Sequence, residues 1–352
     1  MQSLGGGGTE RVIINLIRNL NDQRFKIDLI LFRDEDSYAN LIPEGVNIIK
    51  VNSTRMRHSA SDLISIFNTI QPDVILSTQR HIDILLLIIK NRIISEPKII
   101  VRIANSPSKI LENKSFIQKK ISRLVFRTLY KRADKIIAQC KEMKEDVINT
   151  FNVDEKLITY VYNPIDIKFI NKSITFDNPF NSDEINYLAV GRLSYQKGFD
   201  ILLHSFSRVV ELQPNARLTI LGTGDQQKKL YTLSKELKIE RNITFKGFVK
   251  NPYDYYKYCD VYVLSSRWEG FPNSLLEALA CNAKVVATNC KSGPKEILLN
   301  NTYGELVEEG NINSIAQGMI NASSGSNKSS DRAKSFDIEK IILEYEQVLL
   351  EK

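Results

Sequence analysis

Glu269-Gly270-Phe271-Pro272-Asn273-Ser274-Leu275-Leu276-Glu277 decides how this chain is read. It follows an apolar run, Val261-Tyr262-Val263-Leu264, of the kind that forms a buried strand of a parallel sheet. It runs into Leu275-Leu276-Glu277-Ala278-Leu279-Ala280, which reads as a helix. Gly270 and Pro272 keep the connection from being helical. The unit is therefore strand, irregular loop, helix, with Glu269 in the loop and Glu277 in the first helical turn. Amides at a helix N-terminus suit a phosphate, and carboxylates suit sugar hydroxyls. Ser274-x-x-Glu277 also fits a capping box, which would make Glu277 structural. That reading leaves Glu269, between Trp268 and Phe271, with nothing to do, so the functional one is favoured.

The chain around this stretch is 352 residues long, with 43% hydrophobic and 25% charged residues. Such a composition describes a soluble globular protein, and the length suits two domains. Cys140, Cys259, Cys281 and Cys290 are scattered, which argues against a zinc site or disulfide framework and for a reducing cytosol. Met1 is followed by Gln2-Ser3-Leu4 and a glycine run rather than a signal peptide. The longest apolar run, Ile84 to Ile89, is too short to span a bilayer. Residues 1–165 hold 25 Lys+Arg against 18 Asp+Glu, whereas residues 166–352 hold 23 of each. The whole net charge of +7 thus lies in the first half.

Short apolar runs predict strands at Lys26 to Phe32, Asn47 to Val51, Asp73 to Ser77, Lys98 to Ile103, Lys135 to Gln139 and Leu157 to Tyr162. Helical patterns separate several of them, including Val12 to Leu20, Ser61 to Ile70 and Met143 to Phe151. This alternation means a parallel α/β sheet with helices on both faces. The loop Ser3-Leu4-Gly5-Gly6-Gly7-Gly8-Thr9-Glu10-Arg11 ought to hang from a strand, because βαβ units begin with one. None precedes it, so the expectation is a missing first strand and a reading frame that begins late. Tyr162-Asn163-Pro164-Ile165-Asp166 breaks the pattern and marks a domain boundary. A second series follows: strand Ile185 to Val190, helix Phe199 to Leu212, strand Ala216 to Leu221, helix Gln226 to Leu237, and strands at Ile243 to Phe245, Val261 to Leu264 and Lys284 to Thr288. Ser323 to Asp331 reads as a surface loop. The domains expected are 1–165 and 166–335. Residues 336–352 add a helix that packs back toward the first domain.

Three further loops sit at strand ends, where open parallel sheets bind ligands. Gly191-Arg192-Leu193-Ser194-Tyr195-Gln196-Lys197-Gly198 spaces Arg192 and Lys197 to converge on an anion such as a diphosphate. A solvated basic loop fits that octapeptide as well. Gly222-Thr223-Gly224-Asp225 and Phe245-Lys246-Gly247-Phe248 follow the next two strands, and each alone is a weak signal.

Taken together, these motifs resemble the nucleotide-sugar domain of the retaining family 4 (group 1) glycosyltransferases. That family has the GT-B fold, two Rossmann-like doubly wound parallel-sheet domains facing across a cleft. The resemblance covers nearly the whole chain, with Gly7-Gly8-Thr9-Glu10-Arg11 similar to the N-terminal glycine loop and Asn163-Pro164-Ile165-Asp166 to the linker. It implies that Arg192 and Lys197 hold the donor diphosphate and that Glu277 binds the ribose. The Ser274 and Leu275 amides would take a phosphate. Glu269 with Gly270, Phe271, Pro272 and Asn273 would hold the transferred sugar. Gly7, Gly8, Gly222 and Gly224 would line the donor site, and the segment around Gly247 would meet the base. No metal is expected, since cations and helix amides suffice to stabilise a departing diphosphate.

Two departures from the family pattern stand out: the missing first strand, and Arg102-Ile103-Ala104-Asn105 where many relatives have a histidine. Asn105 could donate a hydrogen bond on the acceptor side but cannot act as a base. His58, His81 and His204 read as surface or packing residues. Asp34-Glu35-Asp36 matches a metal-binding D-x-D but reads as a solvated acidic turn. Between Lys109 and Arg132 lie eight basic residues and one acid, with Phe116, Ile117, Ile121, Leu124, Val125 and Leu129 at largely helical spacing. Such a helix can lie on an anionic membrane or pack on a core with a basic outer face. Nothing in it marks nucleic-acid binding.

The resulting expectation is a cytoplasmic enzyme, peripheral on the inner face of the plasma membrane. It would transfer a hexose or N-acetylhexosamine from a UDP-sugar to a lipid-linked glycan of capsule, lipopolysaccharide or exopolysaccharide type. A nucleotide-sugar epimerase and a non-catalytic GT-B subunit are the alternatives.

Overall fold

Apolar strands rich in β-branched residues alternate with amphipathic helices along most of this chain, and they assemble into two α/β units. The computed structural model describes residues 1–33, 38–51, 59–112, 115–327 and 331–351. Unit 1 is Met1–Pro164 with Ile338–Lys352, and unit 2 is Ile165–Asp337.

Unit 1 contains, in order, α1 (Gly8–Asn19), β1 (Asp28–Leu31), β2 (Asn47–Lys50), α2 (Ser59–Ile70), β3 (Val74–Ser77), α3 (Arg80–Ile89), β4 (Lys98–Arg102), α4 (Pro107–Glu112), α5 (Phe116–Tyr130), β5 (Lys135–Ala138), α6 (Lys141–Phe151) and β6 (Ile158–Tyr160). All its strand pairs are parallel, but they form two sheets, β1-β2 and β3-β4-β5-β6. Burial on both faces explains why β4 and β5 carry continuous apolar runs. α1 buries Val12, Ile13, Leu16 and Ile17 at helical spacing.

Unit 2 contains α7 (Ile167–Ser173), β7 (Ile185–Val190), α8 (Phe199–Leu212), β8 (Ala216–Leu221), α9 (Gln227–Glu236), β9 (Ile243–Gly247), α10 (Tyr253–Tyr258), β10 (Val261–Leu264), α11 (Asn273–Ala280), β11 (Lys284–Thr288), α12 (Pro294–Ile297), β12 (Glu305–Val307) and α13 (Ile312–Ser324). Its six strands form one parallel sheet in the order β12-β11-β10-β7-β8-β9. The order reverses between β7 and β10, so the loops after these two strands flank the switch point where such sheets bind ligands. α14 (Ile338–Leu350) then packs Ile338, Ile341, Ile342, Tyr345, Val348 and Leu349 into the unit 1 core beside Val12, Ile13 and Ile100.

Several expectations need correction. The glycine loop is shorter than read, because Gly8 already belongs to α1 and Gly7 is its N-cap. Ser323 and Ser324 close α13 rather than opening a loop. α3, α7, α13 and β12 went unrecognised, α7 because it lies at a boundary read as irregular. Ahead of the glycine run, Met1–Leu4 form no assigned strand. Even so, the Met1 amino group donates to the Ile30 carbonyl (2.8 Å) and the Phe32 amide to the Gln2 carbonyl (3.1 Å). The acidic triplet Asp34-Glu35-Asp36 and His58 lie outside the described residues. Among the described residues no helix is long and apolar enough to cross a membrane.

Candidate active site

The loop after β7 is stitched to the loop after β10. Gly198, at φ +63°, lies so near Ser265 that an added Cβ would meet its carbonyl oxygen at 2.2 Å. Ser265 Oγ donates to the Lys197 carbonyl (2.9 Å), and the Arg267 amide to the Gln196 carbonyl (2.8 Å). Gln196 Nε2 reaches back to the Trp268 carbonyl at 2.9 Å. Arg267 holds Asp200 at the start of α8 through two bonds of 2.8 and 2.6 Å, and lies 4.0 Å from the Tyr195 ring. Burial would raise the Asp200 pKa, but the bonds and charge of Arg267 outweigh it and hold the carboxyl below its ordinary value. The same pairing raises Arg267.

This framework places Lys197 Nζ 2.6 Å from Glu269 Oε1. Ser266 Oγ donates to the same oxygen at 2.5 Å, and Ser266 is held in turn through its carbonyl by Thr288 Oγ1 at 2.6 Å. Glu269 is 5% exposed, so its charge depends on these partners. Its backbone is fixed from β11's following loop: the Glu269 amide donates to the Lys291 carbonyl (2.8 Å), and Ser292 Oγ to the Gly270 carbonyl (2.9 Å).

α11 begins immediately beyond. Pro272 is its N-cap and no side chain caps it, so Ser274 is a helical residue and the capping-box reading falls. Ser274 Oγ instead accepts from Tyr262 Oη (2.8 Å), and Glu277 Oε2 from Tyr256 Oη (3.2 Å). Glu277 thus sits in the second helical turn, not the first. The Leu275 amide, expected to face a phosphate, already donates to the Pro272 carbonyl at 3.1 Å. The Ser274 amide lies at the positive end of the helix, where an anion is favoured. Burial pushes the Tyr262 phenol well above its ordinary range, which keeps it a neutral donor to Ser274.

The remaining expected residues fall in different places. Arg192 is exposed on the β7 loop, whereas Lys197 is engaged with Glu269, so the two cations are not joined through a common protein partner. Gly222 (φ +133°) and Gly224 let the β8 loop lie on the β7 loop, since added Cβ atoms would meet the Gly191 and Leu193 carbonyl oxygens at 2.0 and 2.2 Å. Gly247 (φ +74°) ends β9 beside open space. Phe271 and Pro272 are buried, while Asn273 is partly exposed. Gly7, Gly8 and Asn105 belong to unit 1, and Gly8 and Asn105 are exposed there. Ser266, Thr288, Ser292 and the Arg267–Asp200 pair were not recognised from sequence. Ser265-Ser266-Arg267 directly follows a buried strand, and that position was the available signal. Burial pushes the Cys259, Cys281 and Cys290 thiols up, so none is a poised nucleophile.

Two α/β units of parallel strands, the second with cationic and carboxylate loops at its switch point, define a GT-B protein. Its architecture matches HepE of Anabaena, solved in complex with UDP and glucose, with a TM-score of 0.80 over 99% of this chain and 97% of that one at 18% identity. Residues 171–336 match the group 1 glycosyl transferases, and residues 6–169 match Glycosyltransferase Family 4. One relative is the N-acetylgalactosamine-N,N'-diacetylbacillosaminyl-diphospho-undecaprenol 4-alpha-N-acetylgalactosaminyltransferase of Campylobacter jejuni subsp. jejuni. It is 30% identical over 96% of this chain and 95% of its own length. Another is the lipopolysaccharide 1,6-galactosyltransferase of Escherichia coli K12, 24% identical over 88% of this chain and 83% of its own length. The chain belongs to the group 1, family 4 glycosyltransferases.

Proposed function

We propose that this glycosyltransferase is retaining and metal-independent, and moves a hexose or N-acetylhexosamine from a UDP-sugar to a lipid-diphosphate-linked surface glycan. The observation that carries the reading is the Lys197–Glu269 pair at the switch point of unit 2, beside the N-terminus of α11. Glu269 Oε1 is occupied by Lys197 and Ser266, which leaves Oε2 to accept from a sugar hydroxyl. Lys197, exposed Arg192 and the Ser274 amide would take the charge that develops on the departing diphosphate. Glu277, fixed by Tyr256, would accept from the ribose, and the Gly247 segment would meet the base. Gly222 and Gly224 would shape the donor loop. On unit 1, the family resemblance assigns Gly7 and Gly8 to donor binding and Asn105 to the acceptor. The relatives' names support a lipid-diphosphate or lipopolysaccharide acceptor and an α-linked product.

The test is mass spectrometry of products formed from a panel of UDP-sugars and a lipid extract, with and without EDTA. Expected is one UDP-sugar turned over at an unchanged rate in EDTA. Strict dependence on manganese, or UDP binding without turnover, would overturn the reading.

The proposed working place is argued from α5. Its capping box, Ser115 with Gln118, starts the helix, and Phe126 and Tyr130 anchor it against Phe151. Phe116, Ile117, Ile121 and Leu124 are instead exposed, at 81, 69, 56 and 65%. That is not the pattern of a helix packed by its apolar side. Lys120, Arg123 and Arg127 are exposed among them. We read this as an anionic-membrane contact, apolar residues inserted and each basic one adding about 1 kcal/mol near the surface. Co-sedimentation with anionic liposomes at low salt is expected, and should be lost when Lys119, Lys120, Arg123 and Arg127 are all changed to glutamate. Wild-type protein remaining in the supernatant would rule the contact out.

A further inference from the structure

β4 runs directly into the loop Ile103-Ala104-Asn105-Ser106-Pro107, at the carboxyl end of its sheet, where open parallel sheets bind ligands. One end of this loop is fixed by the sheet: the Ile103 amide donates to the Ile137 carbonyl of β5 at 2.9 Å. The other end is fixed by a carboxylate from a different element. Asp146 of α6 is 4% exposed, and its Oδ2 accepts from Ser106 Oγ (2.7 Å) and from the Ser108 amide (3.0 Å). Thr150 Oγ1, one turn further along α6, donates to Oδ1 at 3.3 Å. Ser106 is fully buried, and its carbonyl accepts from the Ile110 amide (3.2 Å) as α4 begins.

Between these two anchors stand Ala104, partly exposed, and Asn105, exposed. Among the described residues the Asn105 side chain has no hydrogen-bond partner. A loose loop would present that amide in many orientations. Here the backbone on either side is fixed, so the amide is preorganised before a ligand arrives. A buried carboxylate suits the anchoring task, because both of its oxygens only accept and neutral hydroxyl and amide donors surround it. Ser106 Oγ and the Ser108 amide both belong to the Asn105 segment, so Asp146 acts on that segment more than on its own helix.

We infer that Asp146 is a positioning residue for the acceptor: through Ser106 and Ser108 it fixes the loop after β4 so that the Asn105 amide donates to an oxygen of the acceptor. This rests on the reading of Asn105 as an acceptor-side residue.

The experiment measures transfer by the full chain from the UDP-sugar that the panel identifies, with a total lipid extract titrated as the source of acceptor. Wild type is compared with Asn105→Ala, Asp146→Ala and Ser106→Ala, and with Asn105→Ala combined with each of the other two. Asp146→Ala removes both bonds to the loop. Ser106→Ala deletes a single hydroxyl and leaves Asp146 the Ser108 amide and Thr150, so it makes the same comparison with less disturbance of the fold. Asn105→Ala is expected to raise the lipid concentration for half-maximal rate by about tenfold, the worth of one hydrogen bond. Asp146→Ala and Ser106→Ala should each raise it by about threefold or more, while the UDP-sugar concentration for half-maximal rate stays within about twofold of wild type. In the Asn105→Ala background neither should raise the lipid requirement further, because no amide is left to position. An unchanged lipid requirement in Asn105→Ala would overturn the acceptor-side reading of Asn105 and the proposal with it. Where Asn105→Ala raises the requirement, no change in Asp146→Ala and Ser106→Ala would overturn the positioning role alone. Effects that multiply in the double variants would do the same.

Discussion

At the residue scale, Glu269 is held in place by neighbours that survive its neutralisation. In Glu269→Gln the amide oxygen still accepts from Ser266, and Lys197, 21% exposed, can turn to water. The melting temperature should therefore stay within a few degrees. Turnover should fall on the order of a hundredfold or more, because a neutral amide stabilises a cationic transition state far less than a carboxylate does. Wild-type turnover in this variant would remove Glu269 from the chemistry. Lys197→Ala is a less clean probe, since it strands a buried carboxylate whose loss of partner carries a stability cost of its own. The double variant Lys197→Ala/Glu269→Gln separates the two effects: recovery of stability without recovery of turnover is the expected pattern.

At the element scale, the Arg267–Asp200 pair ties the β10 loop to the first turn of α8, and its pH dependence has a definite sign. The Asp200 carboxyl is held below its ordinary value of 3.8. Its stabilising contribution is therefore fully present above that value and is lost as the pH falls through the lower folded pKa. Asp200 is 46% exposed, so solvent screening limits the pair to about 1 kcal/mol or less. Asp200→Asn should lower the urea midpoint at pH 7, and the gap to wild type should close in acid below 3.8. A gap that persists there would mean the pair's charge is not its source. Elements of this kind show what sequence can reveal. β7, β8, β10, β11 and α8 were legible to the residue, because apolar runs bounded by glycine and polar residues leave few alternatives. The motif loops were legible too, but their geometry was not. Gly222 and Gly224 read as donor-site glycines, and only the fold shows that they let two backbones touch. Ser266 escaped because a serine after a strand has no signature until the carboxylate it serves is located. α5 was ambiguous, since helical spacing does not say which side of a helix meets the core.

At the scale of the whole molecule, the chain leaves unit 1 after Pro164 and returns to it at Ile338, so α14 completes a core begun more than three hundred residues earlier. The fastening is a buried arginine. Arg102 ends β4 with no exposed surface, donates from Nε to Tyr345 Oη of α14 at 2.9 Å, and binds Asn163 Oδ1 just before the crossing. One side chain thus joins a central strand, the start of the connection and the returning helix. Tyr345→Phe deletes only the hydroxyl and leaves the apolar contacts of a fully buried ring intact. It leaves Arg102 Nε buried without its acceptor, which costs on the order of 1 to 3 kcal/mol. The loss should fall on unit 1 alone. In native-state hydrogen exchange, amides of β4 such as Ile100 and Val101 should lose protection by about tenfold or more, while those of β8 such as Leu218 and Ile220 keep theirs. Unchanged protection in β4 would mean that the hydroxyl fastens nothing, and that packing alone holds α14 in place.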